Sequence, residues 1–160
     1  MEHPHLASTE AAVAAVREVA REHHLEVSVT DDIGADQTSR RTSAGAFAVL
    51  DPDGTLPHEA HIDLGGTPAV SVRIFPDDDA KITVENVDFD DIPQDAVPAF
   101  LRSVYGGLAH VKRRVFPPAL WLIVPLPGDD TYKELILPNA LSPWLARNVR
   151  DAHTVRNVRD

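Results

Sequence analysis

The chain of 160 residues contains no cysteine, which excludes disulfides, thiol nucleophiles and cysteine-ligated zinc or iron–sulfur sites. Long apolar runs are also missing, because the longest, ALWLIVPLP at 119–127, is far too short to span a bilayer. The N-terminus lacks the charged and then apolar layout of a signal peptide. We therefore expect a soluble, cytoplasmic protein with no membrane partner.

Basic residues are scarce as well. Lys and Arg together number 15 against 25 Asp and Glu, a formal net charge of −10. This balance argues against duplex nucleic acid or an anionic membrane as the main partner and favours a cationic one. The imbalance is uneven, because residues 1–100 hold 6 basic and 20 acidic side chains, whereas residues 101–160 hold 9 and 5. Such a division can place two surfaces of opposite sign on one fold.

Helical spacing predicts three helices, which begin at Ser8 or Thr9, at Pro98 and at Ser142. The pair Gly106–Gly107 ends the middle helix. The predicted apolar stripes are Ala12, Val13, Val16, Val19 and Ala20 in the first helix; Phe100, Leu101, Val104 and Tyr105 in the second; and Trp144, Leu145, Val149 and Ala152 in the third. Each stripe requires a surface to pack against.

Alternation of apolar and polar residues predicts the strands between these helices. They are LEVSVT (25–30), a hairpin over AGAFAVLDPDGTLPHEAHIDL (44–64), a second pair formed by AVSVRIF (69–75) and KITVENVDF (81–89), and then AHVKRRVF (109–116), ALWLIVPL (119–126) and TYKELIL (131–137). We predict an α+β fold in which the three helices pack mainly on one face of an antiparallel sheet, centred on a meander of about five strands. We expect one domain over 1–160, with flexible ends at 1–8 and 153–160.

The segment PHEAHIDLGG at 57–66 holds the densest group of metal-ligating side chains. On a strand, Glu59, His61 and Asp63 share one face. Residues two apart are roughly 6.5 to 7 Å apart and can share an ion, whereas residues four apart are about 13 Å apart and cannot. His61 can therefore use Glu59 or Asp63, and a third ligand must come from another strand. The candidate donors are Asp88, Asp90 and His110.

The plainer interpretation of the same segment, which we favour, is the solvated side of an amphipathic strand. One detail opposes it. A three-residue loop at the DPDG turn places Phe47 opposite Glu59 and Gly45 opposite His61, so that Phe47 and Val49 share the polar face. A bulge that shifts the register, or a partly covered face of the kind a binding cleft has, explains this mixture.

Other recognisable chemistry is missing from the chain. It contains no nucleophile elbow, phosphate-binding glycine loop, Rossmann glycine pattern or zinc-protease helix, and its acidic clusters lack calcium-loop spacing. We therefore predict no cofactor. The basic segment HVKRRVF (110–116) fits a protected edge strand, and no aromatic stacking motif accompanies it, which makes nucleic acid an unlikely partner.

These observations favour a non-enzymatic, acidic protein-binding module with an inhibitor, immunity-like, adaptor or chaperone-like role and a cationic protein partner. The alternative is a small metal-dependent enzyme or ligand-binding protein that uses Glu59, His61 and Asp63. A third hypothesis is a regulator that binds nucleic acid through the basic C-terminal part.

Overall fold

The computed structural model describes residues 3–31 and 59–150. Three α-helices lie in these ranges: α1 (Thr9–Glu22), α2 (Val97–Tyr105) and α3 (Pro143–Arg147). Short 3-10 helices cover Gln94–Ala96 and Pro138–Ala140. The strands are β1 (Val27–Asp31), β2 (Ala60–Leu64), β3 (Val70–Ile74), β4 (Asp79–Val84), β5 (Val87–Pro93), β6 (His110–Arg114), β7 (Ala119–Pro125), β8 (Thr131–Ile136) and β9 (Val149–Arg150).

Helix α1 begins at the predicted cap. The Ser8 hydroxyl accepts a hydrogen bond from the Ala11 N–H at 3.1 Å, which satisfies one of the unpaired donors of the first turn. The predicted apolar stripe of α1 is buried and packs against β2 and α2. Helix α2 likewise follows the prediction, with Pro98 in its first turn and Gly106 as its C-cap.

Residues 3–8 run beside the 3-10 helix Gln94–Ala96 that precedes α2, and we call them the N-terminal strap. The Asp95 carboxylate accepts a hydrogen bond from the Leu6 N–H, and the Gln94 side chain donates to the carbonyl oxygens of Leu6 and Ser8. Gln94 is buried, so these bonds satisfy its amide group. The described part of the predicted flexible N-terminus is thus held by hydrogen bonds, and residues 153–160 lie outside the described residues.

The first sheet has the order β1-β2-β3-β4-β5, and all its pairs are antiparallel. The predicted five-stranded meander is confirmed, although its members differ from the prediction. The segment 81–89 was predicted to be one strand. It is instead most of a hairpin, in which Val84 pairs with Val87 across a turn at Glu85, whose φ is 56°. No glycine marks that turn, so the usual hairpin signal is missing from the sequence.

The predicted hairpin over 44–64 falls largely outside the described residues, as do Phe47 and Val49. Its expected register at His61 is wrong, however. The cross-strand neighbours of His61 are Thr30 on β1 and Arg73 on β3, which leaves no position for Gly45. A strand inside a sheet has only two neighbours, and β1 takes the place assigned to the preceding segment.

The second sheet has the order β8-β7-β6-β9, and its β6–β9 pair is parallel. The sequence predicts that the third helix, which begins at Ser142, includes Val149 and Ala152. This prediction is wrong for Val149. Helix α3 ends at Arg147, and the Asn148 carbonyl accepts a hydrogen bond from the Val111 N–H at 2.8 Å. This bond carries the chain into the sheet, where Val149 pairs with Val111. Ala152 lies outside the described residues.

Helix α2 joins the two sheets. The Phe100 ring meets Phe89 of β5 edge-on, with centroids 5.0 Å apart, and lies 5.8 Å from the Tyr132 ring of β8. The buried residues of both sheets and all three helices form one hydrophobic cluster. The predicted α+β class is therefore confirmed. Among residues 3–31 and 59–150, no helix combines the length and apolar character needed to cross a bilayer.

Candidate functional site

The outer face of the first sheet is polar, because alternate residues of each strand point away from α1 and α2. Cross-strand pairing arranges these side chains in two rows. One row contains Thr30, His61, Arg73 and Lys81, and the other contains Ser28, Asp63, Ser71, Thr83 and Asp88. We call this surface the polar face. The predicted candidates His61 and Asp63 lie on it.

The three predicted ligands are not one cluster. The His61 Nε2 atom lies 3.2 Å from an Asp63 carboxylate oxygen, whereas the Glu59 carboxylate pairs with the Arg73 guanidinium. Arg73 also lies over the Phe75 ring, 5.4 Å from its centroid. His61 therefore has Asp63 as its near acidic partner, whereas the Glu59 carboxylate is already paired with the Arg73 guanidinium.

The proposed third ligands do not approach His61. Lys81 lies 3.0 Å from a carboxylate oxygen of Asp88 and 3.4 Å from one of Asp90, and His110 belongs to the second sheet. Within the described ranges, no group of three His, Cys, Asp or Glu residues is arranged to hold a metal ion. Structural zinc sites use four ligands and catalytic sites three, so the pair His61–Asp63 falls short of either. The metal site stays a prediction.

Ion pairs on the polar face shift two pKa values. The Thr83 hydroxyl and then Lys81 donate hydrogen bonds to Asp88, and both lower the pKa of its carboxyl. The pKa of the Lys81 ammonium group is raised by its hydrogen bonds to Asp88 and then to Asp90. Both groups are therefore firmly charged at neutral pH, and they form part of a fixed electrostatic pattern.

A depression of about 340 Å³ opens on the polar face beside the β4–β5 turn. Two carboxylates, those of Asp63 and Glu85, line it together with the hydroxyls of Ser71 and Thr83. The Glu85 carboxylate also accepts a hydrogen bond from the Ala69 N–H at 3.3 Å. Sequence reasoning missed Glu85, because it assigned this residue to the middle of a strand. The two acidic groups and two hydroxyls suit the binding of a cationic side chain.

A second acidic group, which we call the acidic corner, consists of Asp77, Asp78, Asp79, Asp90 and Asp91. The Gln94 N–H donates to the Asp78 carbonyl oxygen at 2.8 Å and thus ties the β3–β4 turn to the end of β5. Asp90 and Asp91 lie where the β4–β5 register shifts, and the φ of Asp91 is 55°. Within the described part of the chain, Asp90 alone among the five carboxylates forms an ion pair.

Charge divides between the two sheets. Residues 59–96, which hold β2 to β5, contain ten carboxylates and two Lys or Arg, whereas residues 107–150, which hold the second sheet, contain three and six. The uneven charge along the sequence thus becomes an acidic sheet and a basic sheet.

Comparison with known proteins adds no assignment, because no family model, no curated protein and no solved structure matches the chain.

Proposed function

We propose that this protein is a non-enzymatic protein-binding module whose acidic first sheet binds a cationic protein partner, in an inhibitor, immunity-like, adaptor or chaperone-like role. The observation that carries the proposal is the excess of ten carboxylates over two Lys or Arg in residues 59–96. A field of one sign speeds encounter with a partner of the opposite sign and rejects partners of like sign.

The depression beside Glu85 supports this proposal by offering a binding position on the acidic sheet. A lysine or arginine side chain of the partner would lie between Asp63 and Glu85 and donate to their carboxylates. The exposed carboxylates of the acidic corner, which are all of them except Asp79, would meet further cations at the rim. Rim charges of this kind mainly change the association rate and its dependence on salt.

A binding role also fits the exposure of these acids. Asp77, Asp78 and Asp91 lie open to solvent. Catalytic acids and bases are usually found in clefts that strongly shift their pKa values. Open carboxylates suit partner attraction better than proton transfer.

The experiment is affinity capture from a lysate, followed by titration of the purified partner. We would compare the wild type with the double variant Asp63→Asn, Glu85→Gln and with the control Asp129→Asn, Asp130→Asn, which removes the same charge from the β7–β8 turn. A basic partner should bind the wild type and the control and lose at least about tenfold in affinity for the first variant, since two charged contacts are removed.

Salt dependence provides the second measurement. Affinity should fall steeply between about 0.05 M and 0.3 M salt, because the Debye length shrinks over that range. A partner of acidic composition, equal affinity for both double variants, or binding that salt leaves unchanged would contradict the proposal.

A further inference from the structure

The tip of the β6–β7 hairpin exposes two large apolar side chains. Val115 is 83% exposed and Phe116 is 87% exposed, directly after the basic end of β6. The Arg114 Nε atom donates a hydrogen bond to the Phe116 carbonyl oxygen at 3.1 Å, which links the cation to the tip. Adjacent exposed apolar residues with a polar rim are typical of interaction sites.

An apolar groove of about 450 Å³ continues from this tip. Pro118 and Ala119, which follow the tip in the chain, line the groove together with residues of the second sheet and Ala146 of α3. The branched apolar side chains that line the groove are Leu120, Leu135, Ile136, Leu141 and Val149. Leu135 and Leu141 remain 44% and 43% exposed, so the groove offers uncovered apolar surface.

The surroundings of the groove are basic. Arg113 and Arg114 line it, and Arg147 directly follows Ala146, which also lines it. Arg114 and Arg147 form no ion pair with any residue in the described ranges. Unpaired cations around an apolar groove complement a ligand that has carboxylates outside and apolar side chains inside.

We infer that the groove and the hairpin tip bind an acidic protein segment that carries apolar anchor side chains. The anchors would enter the groove beside Leu120 and Leu135, Phe116 would pack over them, and the segment's carboxylates would pair with Arg114 and Arg147. The inference is independent of the cationic partner proposed for the first sheet. Together the two surfaces describe an adaptor that joins a basic protein to an acidic one.

An anionic membrane fits the same surface less well. A bilayer contacts a convex tip but does not fill a concave groove, and residues 59–96 with their excess of carboxylates would be repelled by anionic headgroups. A peptide chain can fill the groove and stay away from the acidic sheet.

The test is selection of short random peptides from a displayed library on the full chain. We expect the selected peptides to be enriched in Asp and Glu together with Leu, Ile or Phe. Enrichment of basic peptides, or none above an unselected library, would overturn the inference. Stronger binding to phosphatidylserine vesicles than to any selected peptide, lost in Phe116→Ser, would replace the peptide with a membrane.

Variants locate the site on the molecule. Phe116→Ser and Arg114→Glu should each weaken the best selected peptide by about tenfold or more, because an anchor contact or a charge contact is lost. The matched controls are Leu108→Ser, at a residue 56% exposed away from the groove, and Arg17→Glu on the exposed side of α1. Equal losses in the controls would place the peptide elsewhere and overturn the inference.

Discussion

The Asp95 carboxylate accepts a hydrogen bond from the backbone N–H of Leu6 at 2.6 Å and thereby fixes the N-terminal strap to the 3-10 helix that precedes α2. The His5 ring lies 3.1 Å from the other carboxylate oxygen. Partial burial raises the pKa of Asp95, but the hydrogen bonds from Leu6 and His5 outweigh it, so the net shift is downward. A lowered carboxyl pKa means that the folded state favours the charged form.

This contact predicts a pH dependence of the strap. Because the folded pKa of Asp95 is depressed, its stabilisation is fully present above about pH 4, the ordinary aspartate value, and is lost as pH falls through the lower folded value. Amide exchange at Leu6 should accelerate over that range beyond the intrinsic rate. In Asp95→Ala, which removes the acceptor, the extra acceleration should disappear, and Leu6 should already be poorly protected at neutral pH. Unchanged protection in this variant would contradict the assignment.

Phe100 contacts both sheets, and its truncation should be costly. Phe100→Ala removes a fully buried ring that touches Phe89 and Tyr132, so we expect the free energy of unfolding to fall by about 3 to 5 kcal/mol. Phe116→Ala is the control, since the same substitution at an exposed ring should change it by about 0.5 kcal/mol or less. Urea denaturation measures both. Similar losses in the two variants would argue against this role of Phe100.

The Ser103 hydroxyl has no hydrogen-bond partner within the described ranges, although the residue is only 2% exposed. Ser103 lines a cavity of about 350 Å³ with apolar residues such as Leu6 and Pro98. Ser103→Ala removes an unsatisfied polar group and improves helix propensity, so it should stabilise the fold by about 1 kcal/mol.

The matched control is Ser8→Ala, the same substitution at the cap of α1, which should destabilise by about 1 kcal/mol. Thermal unfolding would show opposite shifts of the midpoint. A lower midpoint for Ser103→Ala would mean that a bound water or ligand in the cavity satisfies the hydroxyl.

The pair His61–Asp63 provides the test of the metal hypothesis. Two ligands on an open sheet face bind zinc weakly, so the purified chain should carry far less than stoichiometric zinc in elemental analysis. Stoichiometric zinc that is lost in His61→Ala and retained in His110→Ala would contradict this expectation and support a metal centre completed by another part of the chain.

Local signals predicted much of the fold. Ser8, Pro98 and Gly106 mark helix ends by chemistry that acts within a few residues, and alternation assigned His61 and Asp63 to one face. Long-range pairing was not predictable in the same way. Helical spacing places Val149 after Leu145 on one stripe, but a backbone hydrogen bond from Val111 takes this part of the chain into a sheet.

The candidate site shows the same limit. The alternation of residues identifies Glu59 as an outward acid, yet its partner Arg73 depends on the register between β2 and β3. Glu85 became part of the depression only because a turn without glycine follows β4. Registers and turns of this kind are set by packing across the sheet. The sequence of one strand carries no information about how its neighbours pack against it.

The chain order of the strands also has a kinetic consequence. Strands β2 to β5 lie in the sheet in the order in which they follow one another in the chain, so short loops bring them together, whereas the β6–β9 pair joins Val111 to the distant Val149. Loop closure costs more entropy for distant pairs and slows folding. In pulse-labelling during refolding, β2 to β5 should gain protection before β9. The acidic sheet would then be formed while the basic sheet still lacks its last strand.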